Sequence, residues 1–221
     1  MTLYIFKDSD KQVKIGKIIC LARTYKKHAK EMKSKTTKDP ILFLKPESSI
    51  IFNNDSILIP KLSNCVHHEI ELGIVIGENG KNISEENAMN HVLGYLVGLD
   101  ITARDIQTDA KKNGHPWSIA KGFDTFAPIS HVVLKNEVLD PLNLDLELKI
   151  NGKLKQKSNT KYMIYSIQKI IAFVSTIMTL KKGDLILTGT PEGVGELFEN
   201  DEIEAKLGDI CYLKVNVKKE L

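Results

Sequence analysis

Short apolar runs separated by turn residues dominate the chain. The stretches "KIICLA" (17–22), "ILFLKP" (41–46) and "SILIP" (56–60) are compact, and proline stops the last two. Two longer runs, "IELGIVIG" (70–77) and "VLGYLVGLD" (92–100), have the length of buried strands. In "LNLDLELKING" (142–152) leucine alternates with polar residues, as in a strand with one wet face. It ends at Asn151-Gly152, which favours a type I′ hairpin, and "KLKQK" would form the return strand. "DLILTG" (184–189) and "YLKVNV" (212–217) complete the strand set.

Helical spacing is rarer. Met163, Ile164, Ile167, Ile170, Ile171, Val174, Ile177 and Met178 repeat with the period of an amphipathic helix of about five turns. "SEENAMNH" (84–91) opens with a capping serine and acids in its first turn. "TARDIQTDAKKNG" (102–114) reads as a helix ended by Gly114. Strands do not alternate regularly with long helices, so the pattern predicts a mainly β, α+β architecture rather than a doubly wound parallel sheet. With no internal repeat or low-complexity linker, the 221 residues read as one large domain or a domain with a small appendage, least structured at about 32–40.

Composition narrows the function classes. The 31 basic and 28 acidic residues leave a net charge of +3, too balanced to argue for nucleic acid. The basic run "KKHAKEMKSKTTK" (26–38) carries interspersed acids and hydroxyls and reads as a solvated, mobile segment. The longest uncharged helical stretch, "IIAFVSTIMTL" (170–180), has 11 residues, where a membrane span needs roughly 20. "MTLYIFKDSDKQ" lacks the apolar region of a signal peptide. Cys20, Cys65 and Cys211 are dispersed, which argues against a disulfide framework and fits a reducing, cytoplasmic setting. Cys20 and Cys211 sit in apolar runs as small core residues.

Candidate chemistry concentrates in "NCVHHEIELGIVIG" (64–77). In a strand, Glu69 and Glu71 share one face and repel each other unless a cation or water lies between them. An exposed acidic strand end would satisfy the pattern. So would a hard cation such as Mg²⁺, Mn²⁺ or Ca²⁺ at the mouth of a buried strand. Asp100 could supply a third oxygen ligand, or serve as an N-cap for the segment that follows. His67 and His68 read as supporting or packing residues, because hard cations prefer oxygen. His28 and Glu31 are helical neighbours at i, i+3 and could form a base held by a carboxylate, although such pairs are common on surfaces. "LTGTPEGVG" (187–195) is a glycine-rich loop without the lysine of a P-loop; it is either a plain turn or a cradle for a small anion through its amides and Thr190.

Taken together, "YKKHAKEM", "PILFLKP", "HHEIELGIVIG", "GYLVGLDITARDIQ", "GHPWSIAKGFDTFAPIS", "NTKYMIYSIQKIIAFVS" and "GDLILTGTPEGVG" run in one order from about residue 17 to the C-terminus. In this order the chain resembles the fumarylacetoacetate hydrolase family, in particular its short acylpyruvase and oxaloacetate decarboxylase branch. The resemblance implies a mixed β-sandwich roll, homodimeric, forming one catalytic domain over 1–221. Residues 1–16 would be a short N-terminal segment and about 24–40 a mobile lid. It further implies Mg²⁺ or Mn²⁺ on Glu69, Glu71 and Asp100, a lid dyad of His28 and Glu31, and an active-site lysine at Lys121. Arg104, Gln107 and Thr190 match positions that contact the substrate carboxylate or 2-keto group. One departure is visible: the family often reads Gly-Arg-Asn-Tyr where this chain has Ala22-Arg23-Thr24-Tyr25, a change that bears on lid geometry.

The implied reaction is divalent-metal-dependent hydrolysis of acylpyruvates to pyruvate and a carboxylic acid, or decarboxylation of oxaloacetate, both through an enolate stabilised by the cation. His28 with Glu31 would activate water in the hydrolysis, and Lys121 would stabilise negative charge. Within the family the rivals are an isomerase or decarboxylase of aromatic-acid catabolism and a fumarylpyruvate hydrolase. From another class, the rival is a non-catalytic protein that binds a metal or keto acid.

Overall fold

The computed structural model of the protein describes residues 2–32, 34 and 37–220. Strand outweighs helix, 38% against 22%, as the α+β, mainly β reading expects. The central sheet has the order β10 (Val133–Leu134), β7 (Val92–Leu99), β6 (Ile70–Ile76), β13 (Leu185–Leu187), β1 (Ile18–Ala22) and β2 (Ile41–Lys45). β1 and β13 run parallel and their other neighbours antiparallel. A second sheet has the order β12 (Lys153–Asn159), β11 (Asp145–Ile150), β15 (Glu202–Leu207), β16 (Cys211–Lys219) and β4 (Ser56–Ile59), with β4 joining in parallel. Two small sheets complete the strands: β14 (Gly195–Glu196), β5 (Val66–His68) and β8 (Thr102–Ala103) in one, β3 (Ile50–Ile51) and β9 (Ala127–Pro128) in the other.

The two large sheets bury apolar side chains in different ways. β6 is buried at every position, because strands flank it and side chains cover both of its faces. The second sheet alternates: Leu146, Leu148 and Ile150 point inward, as do Ile203, Ala205 and Leu207. These inward rows pack with Leu72, Ile74, Val97 and Leu99 of the central sheet in one apolar cluster. The opposite face of the central sheet closes over Ile18, Cys20, Val75, Leu96 and Leu185. Each such side chain contributes roughly 1.5–3 kcal/mol when fully buried. The N-terminal segment joins this second cluster through Tyr4, Phe6, Val13 and Ile15.

The helices are α1 (Lys26–Glu31), α2 (Glu85–Ala88), α3 (Arg104–Asn113), α4 (Ser118–Lys121) and α5 (Ile167–Ile177). The Ser84 hydroxyl caps α2, and Gly114 ends α3 in the left-handed region at φ 68°. The expected hairpin forms, with positive φ at both Asn151 and Gly152. α5 is shorter than the predicted five turns. It has 11 residues and starts only after Ser166, whose hydroxyl accepts from Lys169 N–H and fixes the first turn. Met163 and Ile164 therefore pack against the core from outside the helix. β15 was not among the expected strands; charged residues separate its three inward apolar positions.

The basic run 26–38 is not simply solvated. His28 and Ala29 of α1 are buried. Of the expected lid, about 24–40, Lys33, Lys35 and Thr36 lie outside the described residues.

Candidate active site

The register of two core strands brings the acids together. Ile70 on β6 pairs with Leu99 on β7, so Glu69 and Asp100 emerge at the same end of the pair. The Asp100 N–H donates to Glu69 O at 2.8 Å and ties the two residues directly. Glu71, two residues along, points to the same side. One carboxylate oxygen from each of Glu69, Glu71 and Asp100 lies within 4.8 Å of the others, and all three residues are buried. Asp100 does not cap α3: Ala103 occupies that position without a side-chain cap.

Two buried lysines balance these charges. Lys121, at the end of α4, donates to Asp100 Oδ2 at 2.5 Å, Thr102 Oγ1 at 2.6 Å and Glu69 Oε2 at 3.2 Å. Lys45, at the end of β2, donates to the carbonyls of Ile101, Lys121 and Phe126 at 2.7–2.9 Å. An ammonium has three N–H groups, so each lysine has one acceptor for every proton it carries. Lys45 Nζ also lies 2.9 Å from Asp100 Oδ1 and forms an ion pair with it. Arg104, at the start of α3, pairs with Glu69 Oε1 and donates to Gln107 Oε1 at 2.7 Å.

This arrangement splits the acids. Burial pushes the Glu69 carboxyl up, but Lys121 and Arg104 outweigh it and hold the group below the usual range. Glu71 goes well above that range, driven by burial and by Asp100 and Glu69, against one N–H from Gly189 at 2.7 Å. For Lys121, burial disfavours the charge, yet Asp100 and Glu69 prevail and raise its pKa. Lys45, Lys121 and Arg104 gather on Glu69 and Asp100, while Glu71 accepts from the Gly189 N–H. Three buried carboxylates, with one oxygen of each within 4.8 Å of the others, form an all-oxygen donor set that fits a hard divalent cation.

A cleft opens beside the acids. Its lining includes His28, Glu69, Asp100, Arg104, Lys121 and Thr190. His28 Nδ1 is 3.1 Å from Glu31 Oε2, and Gly193 N–H donates to Glu31 Oε1 at 3.0 Å. α1 is thus seated on the glycine-rich loop, with a further ion pair from Lys27 to Glu192. Thr24, where the family pattern has asparagine, is fully buried, and a Cβ on Gly189 would collide with its hydroxyl. At the outer wall Lys111 reaches Gln107 Oε1 at 3.1 Å and stacks over Trp117 at 5.1 Å. Burial first, and Arg104 next, lower the Lys111 pKa to about 8.

Every residue singled out in the sequence for this chemistry falls in or beside one cleft. His67 and His68 are outside the acid cluster; His68 Nδ1 instead meets Gln156 Oε1 at 3.0 Å. Two residues had not been singled out. Lys45 could have been noticed as a lysine closing the apolar run "ILFL" before proline. Gln156 stands among lysines in "KLKQK" and gives no such signal.

Known proteins align with this chain over nearly its whole length. Residues 17–218 match the family described as Fumarylacetoacetate (FAA) hydrolase C-terminal. The mouse protein named oxaloacetate tautomerase FAHD1, mitochondrial, is 46% identical over 202 residues, covering 91% of each chain. The Pseudomonas aeruginosa fumarylpyruvate hydrolase, solved in complex with Mn²⁺ and pyruvate, superposes with a TM-score of 0.95 at 32% identity. That match covers 99% of this chain and 96% of the other. A 2-hydroxyhepta-2,4-diene-1,7-dioate isomerase from Mycobacterium marinum gives a TM-score of 0.83 at 36% identity, over 94% and 76% of the two chains.

Proposed function

The chain belongs to the fumarylacetoacetate hydrolase family, and on that premise we propose that it is a divalent-metal-dependent enzyme that forms enolates of small 2-keto acids. Oxaloacetate, tautomerised or decarboxylated, is the leading substrate. The observation that carries this reading is the buried triad Glu69, Glu71 and Asp100, of which Glu69 and Asp100 line a cation-rich cleft. Lys111 and Arg23 line that cleft together with Arg104, which suits a substrate with a second carboxylate.

Glu69, Glu71 and Asp100 would hold Mg²⁺ or Mn²⁺, which supplies Lewis-acid stabilisation of charge on a 2-keto oxygen. The remaining work belongs to the chain. Arg104, Gln107 and Thr190 bind and orient the substrate carboxylate and keto group. Lys121, held by Asp100, Glu69 and Thr102, has its ammonium placed to stabilise negative charge. His28 is the proton carrier. With Nδ1 turned to Glu31, its Nε2 can hold the proton exchanged at C3 during tautomerisation. In decarboxylation the C3–C4 electron pair moves onto the 2-keto group as CO₂ leaves, and C3 is then protonated to give pyruvate.

A second reading, hydrolysis of acylpyruvates, is favoured by the same dyad. His28 Nε2 would take a proton from water attacking C4, and cleavage of C3–C4 would release pyruvate and a carboxylic acid. The three cysteines are free, which supports a reducing, cytoplasmic location, and a homodimer is part of the proposal.

A panel of oxaloacetate, acylpyruvates and unsaturated keto diacids with Mg²⁺ and Mn²⁺ separates these readings. Glu69→Ala and Asp100→Ala are expected to lose bound metal and about a thousand-fold or more in rate together. His28→Ala should slow acylpyruvate hydrolysis by about a hundred-fold. Full activity after thorough chelation would sink the metal-dependent reading. Metal-dependent turnover excludes a mere binding protein.

A further inference from the structure

Gln156 is a fully buried polar residue on β12, a strand otherwise mostly exposed. Its carboxamide reaches across from the second sheet to the acid-bearing strand and to the glycine-rich loop. Oε1 accepts from Ile70 N–H at 3.1 Å. Nε2 donates to Thr190 Oγ1 at 2.9 Å and to Pro191 O at 3.0 Å, with Glu192 O at 3.5 Å.

An amide of this kind can be turned over without changing its shape. Here its chemistry fixes the orientation. The Ile70 N–H can only donate and the Pro191 carbonyl can only accept, so oxygen must face Ile70 and nitrogen must face the loop. An Nε2 proton therefore fills a lone pair on Thr190 Oγ1. The Thr190 hydroxyl cannot send its own proton back to Gln156, and Thr190 lines the cleft.

We infer that Gln156 is a positioning residue that fixes Thr190 as a hydrogen-bond donor toward the substrate's carboxylate or keto oxygen. It acts through Thr190 and touches no substrate. The substrate part of this inference rests on the 2-keto acid reading above; the direction of the hydroxyl does not.

The test has two arms. Gln156→Met keeps the length of the side chain and removes every polar contact of the carboxamide. With the best substrate of the panel it should raise KM on the order of 10-fold or more, the worth of one hydrogen bond to a charged group. Thr190→Val should do the same, and the double variant should be no worse than Thr190→Val alone. Multiplying effects in the double variant, or an unchanged KM in Gln156→Met, would overturn the inference while leaving the 2-keto acid reading intact. Neutron diffraction of the deuterated wild-type protein addresses the direction without turnover or a variant that folds. Deuterium on Thr190 Oγ1 should point into the cleft, with two deuterons on the Gln156 atom facing the loop. A Thr190 deuteron pointing at Gln156 would overturn the inference even in an active enzyme. A wild-type protein inactive on every 2-keto acid would refute the substrate reading and the donor's assigned target together.

Discussion

Lys45 illustrates how a single side chain can support a site it does not enter. Its ammonium is fully buried and gives all three protons to main-chain carbonyls. Its charge also acts on Asp100 Oδ1, 2.9 Å away. Burial lowers the Lys45 pKa and Asp100 opposes that, while three carbonyl acceptors require the protonated form. Lys45→Met should leave these carbonyls without a donor and take from Asp100 one of its two lysine partners. A loss of about 3–5 kcal/mol is expected from such a break in a buried pair. Urea unfolding measures it, and a loss below about 1 kcal/mol would contradict this account of Lys45.

Among the elements, the loop after β13 concentrates the constraints. Gly189 has φ 92°, its N–H holds Glu71, and it packs against the Thr24 hydroxyl. Gly152 also has a positive φ, at 73°, but open space surrounds it. Alanine at Gly152 should therefore cost about 1–2 kcal/mol of left-handed strain with activity unchanged. Alanine at Gly189 should add a steric clash and displace the glycine amide from Glu71, so that activity falls along with melting temperature. Equal activity in the two variants would remove the loop from the site.

Element by element, legibility followed the range of the interactions. The strands of the core and the hairpin at Asn151-Gly152 were readable because their periodicity and turn chemistry are local. β15 was missed because charged residues separate its inward positions, and α5 was overextended because the apolar period continues past the Ser166 cap. Glu69, Glu71 and Asp100 could be paired from strand ends, but spacing alone left a wet acidic face equally open. Gln156 and Lys45 owe their meaning to partners distant in sequence; a lysine closing the apolar run "ILFL" hinted at Lys45, and no local pattern marked Gln156.

For the whole molecule, the central sheet depends on one short insertion. β13 has three residues, Leu185–Leu187, all buried, and joins β6 on one side to β1 on the other. Beside it, Lys17 and Asp184 form an ion pair across 167 positions of sequence. Native-state hydrogen exchange should find the amides of Ile186 and Leu187 opening only with global unfolding. Amides of α1, a six-residue helix without a side-chain cap, should exchange much faster. Comparable protection in the two elements would refute this hierarchy.

The late position of β13 also has a consequence for synthesis of the protein. As the polypeptide leaves the ribosome, β1 can pair with β2 and β6 with β7, but the strand that unites the two hairpins has not yet been made. Through much of translation the nascent chain presents two apolar strand edges, at Ile18–Ala22 and Ile70–Ile76, each waiting for the same partner. The acids can emerge early, but the loop that braces Glu71 through Gly189 and orients Thr190 arrives only after that partner.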